Sequence, residues 1–547
     1  MFKSAIRCYS KSSVPGVSSR ISELINNQNL LKTTAYINGE WVSSPTTFEV
    51  RDPGKVPHKS AYLASVTTHA TSDFNKAIEH AQDAFKKYRK TTPRQRADLL
   101  LKMFNLMSEN KKDLATIISL ENGKPYADAL GEVTYAASFF QWFSEEAAHS
   151  TGEIISSSNP SNKILALRQP IGVCGIITPW NFPAAMITRK LAAALSVGCT
   201  AVIKPASETP LTALAIAQLA HEAGFDKGIV NVIPSSSSAD AGKAICEHPL
   251  VKKVTFTGST NVGKILMQQA ASTLKKCSFE LGGNAPFIVF DDANIDDAVA
   301  GVIASKFRSS GQTCICANRI FVHEKVYDEF AHKLVNSLKE NTVLGHALEE
   351  STTHGPLIHE KSLDKVKQHV QDAQNLGAEV LFGGNPRPDL GDFYHDLTVL
   401  GHVTPAMQIF HEETFGPVSP LIKFSSDEEA VRLANETDVG LAGYFYTSNI
   451  RQGVQCCGRF GILGSTSLEV IAKRFLFVRE AFSRGISCFD ERFSTKSSKT
   501  THFQIPIPAA VELDWHYRLI EVSTRIAVLN VTPMKNMFKF DGHFDAT

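Results

Sequence analysis

Apolar positions along the chain fall first into a helical rhythm and then into an alternation of strands and helices. From 72 to 87 they recur at helical spacing, at Phe74, Ala77, Ile78, Ala81, Ala84 and Phe85. The segments 94–110, 111–122 and 126–150 continue as helices. Pro93 stands near the start of one, where its missing N–H costs little. Ahead of them, 35–37 and 40–42 flank Asn38-Gly39. That pair favours a type I′ turn, so a short hairpin is predicted within 34–53. Two strand-like runs, 152–155 and 163–168, surround a Ser/Asn/Pro loop and predict a second hairpin projecting from the body.

From 171 the pattern changes. Strands at 171–177, 200–203, 230–232 and 253–256 alternate with helices at 184–195, 211–223, 239–246 and 261–273. Near-continuously apolar strands alternating with helices imply a parallel, doubly wound sheet. A second series runs from Phe287-Ile288-Val289-Phe290 to about Tyr446, with helices at 295–307, 324–340 and 362–376. The predicted fold is α/β: a doubly wound parallel-sheet domain, a second α/β domain and a projecting β-hairpin.

Composition narrows the class. The 547 residues are 43% hydrophobic and 20% charged, as in a soluble globular enzyme, and the length suggests several domains. A net charge of +1 gives no electrostatic case for nucleic acid or an anionic membrane as partner. The ten cysteines form no CxxC pair, which argues against structural zinc or a disulfide framework and for a reducing compartment. No apolar run is long enough to predict a transmembrane helix, and no metal site is expected. Residues 1–22 carry Lys3, Arg7, Lys11 and Arg20 with several serines before the first acid, Glu23. This is the composition of a mitochondrial transit peptide, with Arg7-Cys8-Tyr9-Ser10 similar to a matrix-protease site; the alternative is a basic terminus without an address on a cytoplasmic protein.

The candidate chemistry centres on Gly311-Gln312-Thr313-Cys314. A thiolate attacks carbonyls well without a metal, so Cys314 is the candidate nucleophile. Glu280, 34 residues earlier in Phe279-Glu280-Leu281-Gly282-Gly283-Asn284, is the candidate general base. Its apolar neighbours are expected to raise its pKa by desolvation. Phe256-Thr257-Gly258-Ser259-Thr260 lies between a predicted strand and helix, where unpaired N–H groups suit a pyrophosphate. Lys204-Pro205-Ala206-Ser207 ends another strand of that sheet, and Lys204 can hold a ribose hydroxyl or a phosphate. Ser207 stands where an acid would repel a 2′-phosphate, so NADP is permitted at least as well as NAD.

These stretches, with Thr178-Pro179-Trp180-Asn181-Phe182-Pro183 and Glu412-Glu413-Thr414-Phe415-Gly416-Pro417, resemble in order and spacing the signature set of the aldehyde dehydrogenase superfamily, from about 34 to 464. Within it, Ala184-Ala185-Met186-Ile187-Thr188-Arg189-Lys190, Ala304-Ser305-Lys306-Phe307-Arg308 and Cys314-Ile315-Cys316 are similar to the succinate-semialdehyde dehydrogenases. The resemblance implies that Cys314 forms a thiohemiacetal and then a thioester that Glu280 hydrolyses. Asn181 and the Cys314 N–H would hold the oxyanion. NAD or NADP would lie along Lys204, Pro205, Ala206 and Ser207, Gly258 and Ser259, Leu281, Trp180 and Asn181, with Glu413 on the nicotinamide ribose and Phe415 beside the ring. Arg189 and Arg308 would grip the carboxylate of a semialdehyde, as in 4-aminobutyrate degradation, and Cys316 would make a reversible disulfide with Cys314. Glutarate semialdehyde, an aliphatic aldehyde and a catalytically silent protein stay open as alternatives. So does the partner, a homodimer or homotetramer.

The expected domains are a transit peptide at 1–22, a dinucleotide-binding domain at 34–150 and 171–281, an oligomerisation hairpin at 151–170, a catalytic domain at 282–464, and a divergent tail at 465–547. After Gly461-Ile462-Leu463-Gly464 the resemblance stops, as a shifted reading frame or retained intron would produce. The oligomerisation sheet is then expected to lack its last strand, and the substrate tunnel a wall.

Overall fold

The computed structural model describes residues 14–55, 61–449 and 452, together with the strands Ser467–Ala472, Phe475–Val478 and Ser523–Asn530. Its first sheet has seven strands in the spatial order Lys276–Glu280, Val251–Thr257, Val173–Ile177, Thr200–Lys204, Val230–Val232, Ala35–Ile37, Glu40–Val42. The first five run parallel; the alternation predicts four of them, and Lys276–Glu280 adds the fifth. Helices cover both faces: Ala185–Ser196 and Pro210–Ala223 belong to the large core, while Ser238–Glu247 and Thr260–Ala271 pack on the other side. The predicted hairpin adds the two antiparallel edge strands, and Asn38 and Gly39 take φ of 52° and 81°, as a type I′ turn requires.

The second sheet carries parallel strands Ala285–Val289, Ala317–His323, Val418–Phe424 and Ala442–Tyr446 at its centre. Both sheets thus follow the predicted α/β class. The helix expected over 295–307 stops at Val302 and passes into a wider π turn at Ile303–Phe307, followed by Ser309 and Ser310 at positive φ (49° and 55°). Left-handed backbone costs a non-glycine residue about 1–2 kcal/mol, and here it lies directly ahead of Cys314.

Two expectations change. Residues 14–22, assigned to a removable leader, are folded into the body. Ile21 and Ile25 of the opening helix Ser19–Leu24 and its flank are fully buried, and Arg20 Nη2 donates to Asp52 Oδ2 at 2.6 Å. Asp52 also meets His346 Nε2 at 2.9 Å. Burial would raise the Asp52 carboxyl, but His346 and Arg20 together hold it below its ordinary value. The second change concerns the projecting hairpin, Glu153–Ile155 with Asn162–Gln169. It is not left two-stranded: Ser523–Asn530 pairs antiparallel with the whole of Asn162–Gln169. An open strand edge is a template for any segment able to extend, and the divergent tail supplies one. It also places Ser467–Ala472 parallel to Ala442–Tyr446. The expected gap in the tunnel wall falls outside the described residues.

Candidate active site

Cys314 lies in the loop between the strained serine pair and the strand Ala317–His323, and it is partly exposed. Gly311 is required here: its φ is +74°, and a Cβ would sit 2.1 Å from the Gly416 carbonyl oxygen. The loop is tied from the other side by Gln312, whose Nε2 donates to Pro356 O at 3.3 Å while its Oε1 accepts from Ile358 N at 3.0 Å. Burial, with the negative charges of Glu280 and Glu413, pushes the Cys314 thiol up to about 12, and Arg189 opposes this. Cys316 is buried and its Sγ faces Lys306 O at 3.6 Å; both thiols are free.

Asn181 reaches the same loop from the first domain. Its Nδ2 donates to Gln312 O at 3.1 Å, two residues before the thiol. Trp180 meets Phe415 edge-on at 5.7 Å between centroids. Phe415 holds a φ of 50°, which turns the chain back after Glu413. Glu413 Oε1 accepts from Gly283 N at 3.4 Å, and Gly282 leaves room for it, since a Cβ there would lie 2.7 Å from Oε2. Burial pushes Glu413 up to about 7 against the Gly283 N–H and the charges of Lys365 and Lys306.

Glu280 departs from its expected setting. On the strand Lys276–Glu280 side chains alternate, so Phe279 faces away, edge-on to Phe256 at 5.7 Å, and Leu281 packs over Gly263. The carboxylate meets charge instead of apolar surface. Arg189 Nη1 donates to Oε1 at 2.8 Å, and Lys190 Nζ and Thr257 Oγ1 each donate to Oε2 at 2.5 Å. Arg189 differs from expectation for the same reason. Its guanidinium is occupied by Glu280, by Tyr135 Oη at 2.5 Å and by the Phe139 ring. Arg308 is exposed, 5.4 Å above the Phe182 ring, with no hydrogen-bond or ion-pair partner among the described residues. Lys190, Thr257 and Tyr135 are site neighbours that the sequence reading did not assign. Only the Arg189-Lys190 doublet hinted at one of them.

Lys204 is buried at the end of its strand beside Pro205 and Ala206, and its Nζ donates to Ser238 Oγ at 2.9 Å. Burial lowers its pKa to about 8, with Glu208 opposing. Ser207 Oγ donates to Glu208 Oε2 at 3.2 Å. Gly258 N donates to Glu280 O at 3.1 Å, and Ser259 caps the helix Thr260–Ala271, accepting from Val262 N at 3.4 Å. A lysine head, a run of small residues and an open helix N-terminus along the carboxyl ends of parallel strands fit a dinucleotide. Among the described residues no cluster of His, Cys, Asp and Glu could hold a metal, and no helix is long and apolar enough to cross a membrane.

A doubly wound parallel-sheet domain whose Asn181 is hydrogen-bonded to the cysteine loop of a second α/β domain is the architecture of a cysteine-dependent dehydrogenase. Residues 41–464 match the model of the aldehyde dehydrogenase family. The chain belongs to that family. It is 52% identical over 428 residues to the NADP(+) succinate-semialdehyde dehydrogenase of Saccharomyces cerevisiae, covering 78% of this chain and 85% of the relative. To the mitochondrial succinate-semialdehyde dehydrogenase of Homo sapiens it is 49% identical over 425 residues, 77% of this chain and 78% of the relative. Among solved structures it is similar to succinate-semialdehyde dehydrogenase from Burkholderia pseudomallei, with a TM-score of 0.81 and 40% identity, covering 93% of this chain and 100% of that one. The betaine aldehyde dehydrogenase of Staphylococcus aureus in complex with NAD+ gives 0.78 at 30% identity, covering 83% and 89%.

Proposed function

We propose that this dehydrogenase oxidises succinate semialdehyde to succinate with NADP or NAD. The observation that carries the reading is the Arg308 guanidinium, exposed six residues before Cys314 and without a hydrogen-bond or ion-pair partner among the described residues. Relatives named for that substrate, at about half identity, support it. A guanidinium takes a carboxylate in a two-point fork, leaving the aldehyde end to reach the thiol.

The residues divide the work as follows. Cys314 Sγ, as thiolate, bonds the aldehyde carbon, and the Asn181 amide with the Cys314 N–H receives the oxyanion. When bound, an oxidised nicotinamide would supply the hydride acceptor that oxidation of the thiohemiacetal needs. Glu413 would hold its ribose, and Trp180 and Phe415 would hold the ring. Glu280 leaves its pairs with Arg189 and Lys190, takes a proton from water, and the hydroxide displaces Cys314 from the thioester to give the carboxylate product. Cys316 is a candidate disulfide partner for Cys314.

Replacing Arg308 by leucine is the direct test. kcat/KM for succinate semialdehyde falls by about 30- to 1,000-fold, the loss of one charged partner, while butanal turnover is unaffected. Equal losses on both aldehydes would remove the carboxylate reading. Lys204 gives a second test. The phosphate of NADP needs its ammonium, and burial places deprotonation at about 8. The Kd of NADP therefore rises about tenfold per pH unit above that point, and a flat titration from pH 7 to 10 would place the phosphate elsewhere.

The hairpin exposes Ile154 (82%) and Leu167, an apolar surface that we assign to contact between copies in a dimer or tetramer. A mitochondrial address is proposed within residues 1–13 only. N-terminal sequencing of organelle-derived protein should begin after Met1 and no later than Val14, and a start beyond Val14 would contradict it.

A further inference from the structure

One buried segment has no part in the chemistry above yet touches both the Trp180-Asn181 turn and the helix that follows Ser207. Glu121-Asn122-Gly123-Lys124 closes the helix Lys111–Asn122 and turns out of it, and is buried throughout. Gly123 turns the chain with a φ of +83°, wedged where a Cβ would lie 2.8 Å from the rings of both Pro53 and Pro356. Glu121 accepts from Leu211 N at 2.8 Å and Thr212 N at 2.9 Å, capping the helix Pro210–Ala223 that follows Lys204–Ser207. Asn122 Nδ2 donates to the Trp180 carbonyl at 2.9 Å. Lys124 Nζ donates to the Asn181 carbonyl at 2.7 Å and to Glu132 Oε2 at 2.6 Å, and lies 3.9 Å from the centre of the Phe182 ring. The other oxygen of Glu132 accepts from Ala184 N at 2.9 Å and Ala185 N at 3.3 Å, at the start of the helix that carries Arg189 and Lys190.

The cost of such a pair bears on its purpose. Lys124 and Glu132 are 3% and 0% exposed. Removing two charges from water is expensive, and an apolar pair of the same volume often serves stability as well or better. What an apolar pair cannot do is hold one peptide carbonyl in one place. Fixing the carbonyls of Trp180 and Asn181 fixes the backbone torsions from which the Asn181 amide projects. That amide is aimed at the Cys314 loop.

We infer that Lys124, braced by Glu132 and seconded by Asn122, is a positioning residue for the oxyanion donor Asn181, so that aldehyde attack depends on a buried ion pair that never meets the substrate. The inference rests on the assignment of Asn181 proposed above. A misplacement of about 1 Å at a reacting group costs about 100-fold in rate, which sets the scale of the expected effect.

The experiment uses the full-length protein with the paired substitution Lys124→Met and Glu132→Gln. This removes both charges and keeps an acceptor for Ala184 and Ala185. Three rates are measured: oxidation of succinate semialdehyde, cofactor-free acylation by p-nitrophenyl acetate, and alkylation of Cys314 by iodoacetamide. The first two pass through an oxyanion and the third does not. kcat for oxidation and the acylation rate should fall together by about 10- to 100-fold, with alkylation and the KM for NADP unchanged. In an Asn181→Ala background the paired substitution should cost nothing further, because both act on one interaction. Losses that multiply, losses that extend to alkylation, or no loss at all would each overturn the positioning role. If Asn181→Ala itself leaves both oxyanion reactions at full rate, the oxyanion assignment fails and the inference fails with it. A loss in Asn181→Ala without one in the paired variant defeats the inference alone. Should the paired variant not fold, Asn122→Ala carries the same readouts, with an expected loss on the order of tenfold for one hydrogen bond.

Discussion

Replacing Cys314 by alanine abolishes aldehyde oxidation, with kcat falling by about 10⁴-fold or more, as when a covalent nucleophile is removed from other enzymes. The protein should still fold. Cys314 is partly exposed, and the loop is held by Gly311 against Gly416 and by Gln312 against the segment 356–358. NADP should still bind, because Lys204 and the start of the helix Thr260–Ala271 are untouched. The readouts are NADPH absorbance, cofactor binding by fluorescence, and mass spectrometry for an acyl group on the cysteine of the unmodified enzyme. Burial and two carboxylates hold the resting thiol near 12. At pH 7 the free enzyme is therefore protonated at sulfur, and alkylation by iodoacetamide should accelerate when NADP is added. Residual oxidation within tenfold of normal in Cys314→Ala would end the covalent reading.

Glu280→Gln separates the two halves of the reaction. The amide keeps the shape of the side chain and can still accept from Thr257, but it cannot take a proton from water. Steady-state turnover should fall by about 10²- to 10⁴-fold, the usual contribution of a general base. The first turnover should persist, giving a burst of NADPH close to one equivalent per active site and a succinyl adduct on Cys314. A slow, burst-free reaction would mean that Glu280 acts before the thioester forms. In the structure its carboxylate is committed to Arg189 and Lys190, so a base role for Glu280 would require a rearrangement that releases it.

Much of this was legible in the chain. The βαβ rhythm showed four of the five parallel strands because strands covered on both faces must be apolar throughout, and Val173–Ile177 and Thr200–Lys204 are buried at every position; the fifth, Lys276–Glu280, is only half-buried and reads as no apolar run. The hairpin at Asn38-Gly39 was legible because positive φ at two successive residues restricts the choice of residue. The surroundings of Glu280 were not. Its flanking residues in sequence point away from it, and its partners come from positions 189, 190 and 257, brought together only by the crossing of the helix Ala185–Ser196 with the sheet. Periodicity likewise could not show that the 295–307 helix widens and breaks before Cys314, since the apolar spacing continues through the turn where the backbone does not. The role of Lys124 was hidden for a similar reason: an Asn-Gly-Lys end reads as an ordinary helix terminus until the loop it faces is seen.

The tie between Arg20, Asp52 and His346 bears on the order of biosynthesis. Arg20 Nη2 lies 3.1 Å from His346 Nε2, 326 residues further along the chain. At ribosomal speeds of about 5–20 residues per second, this tie waits on the order of 20 seconds or longer after Arg20 emerges. During that interval the opening helix lacks its tie to His346, so the nascent terminus stays available to a receptor or chaperone.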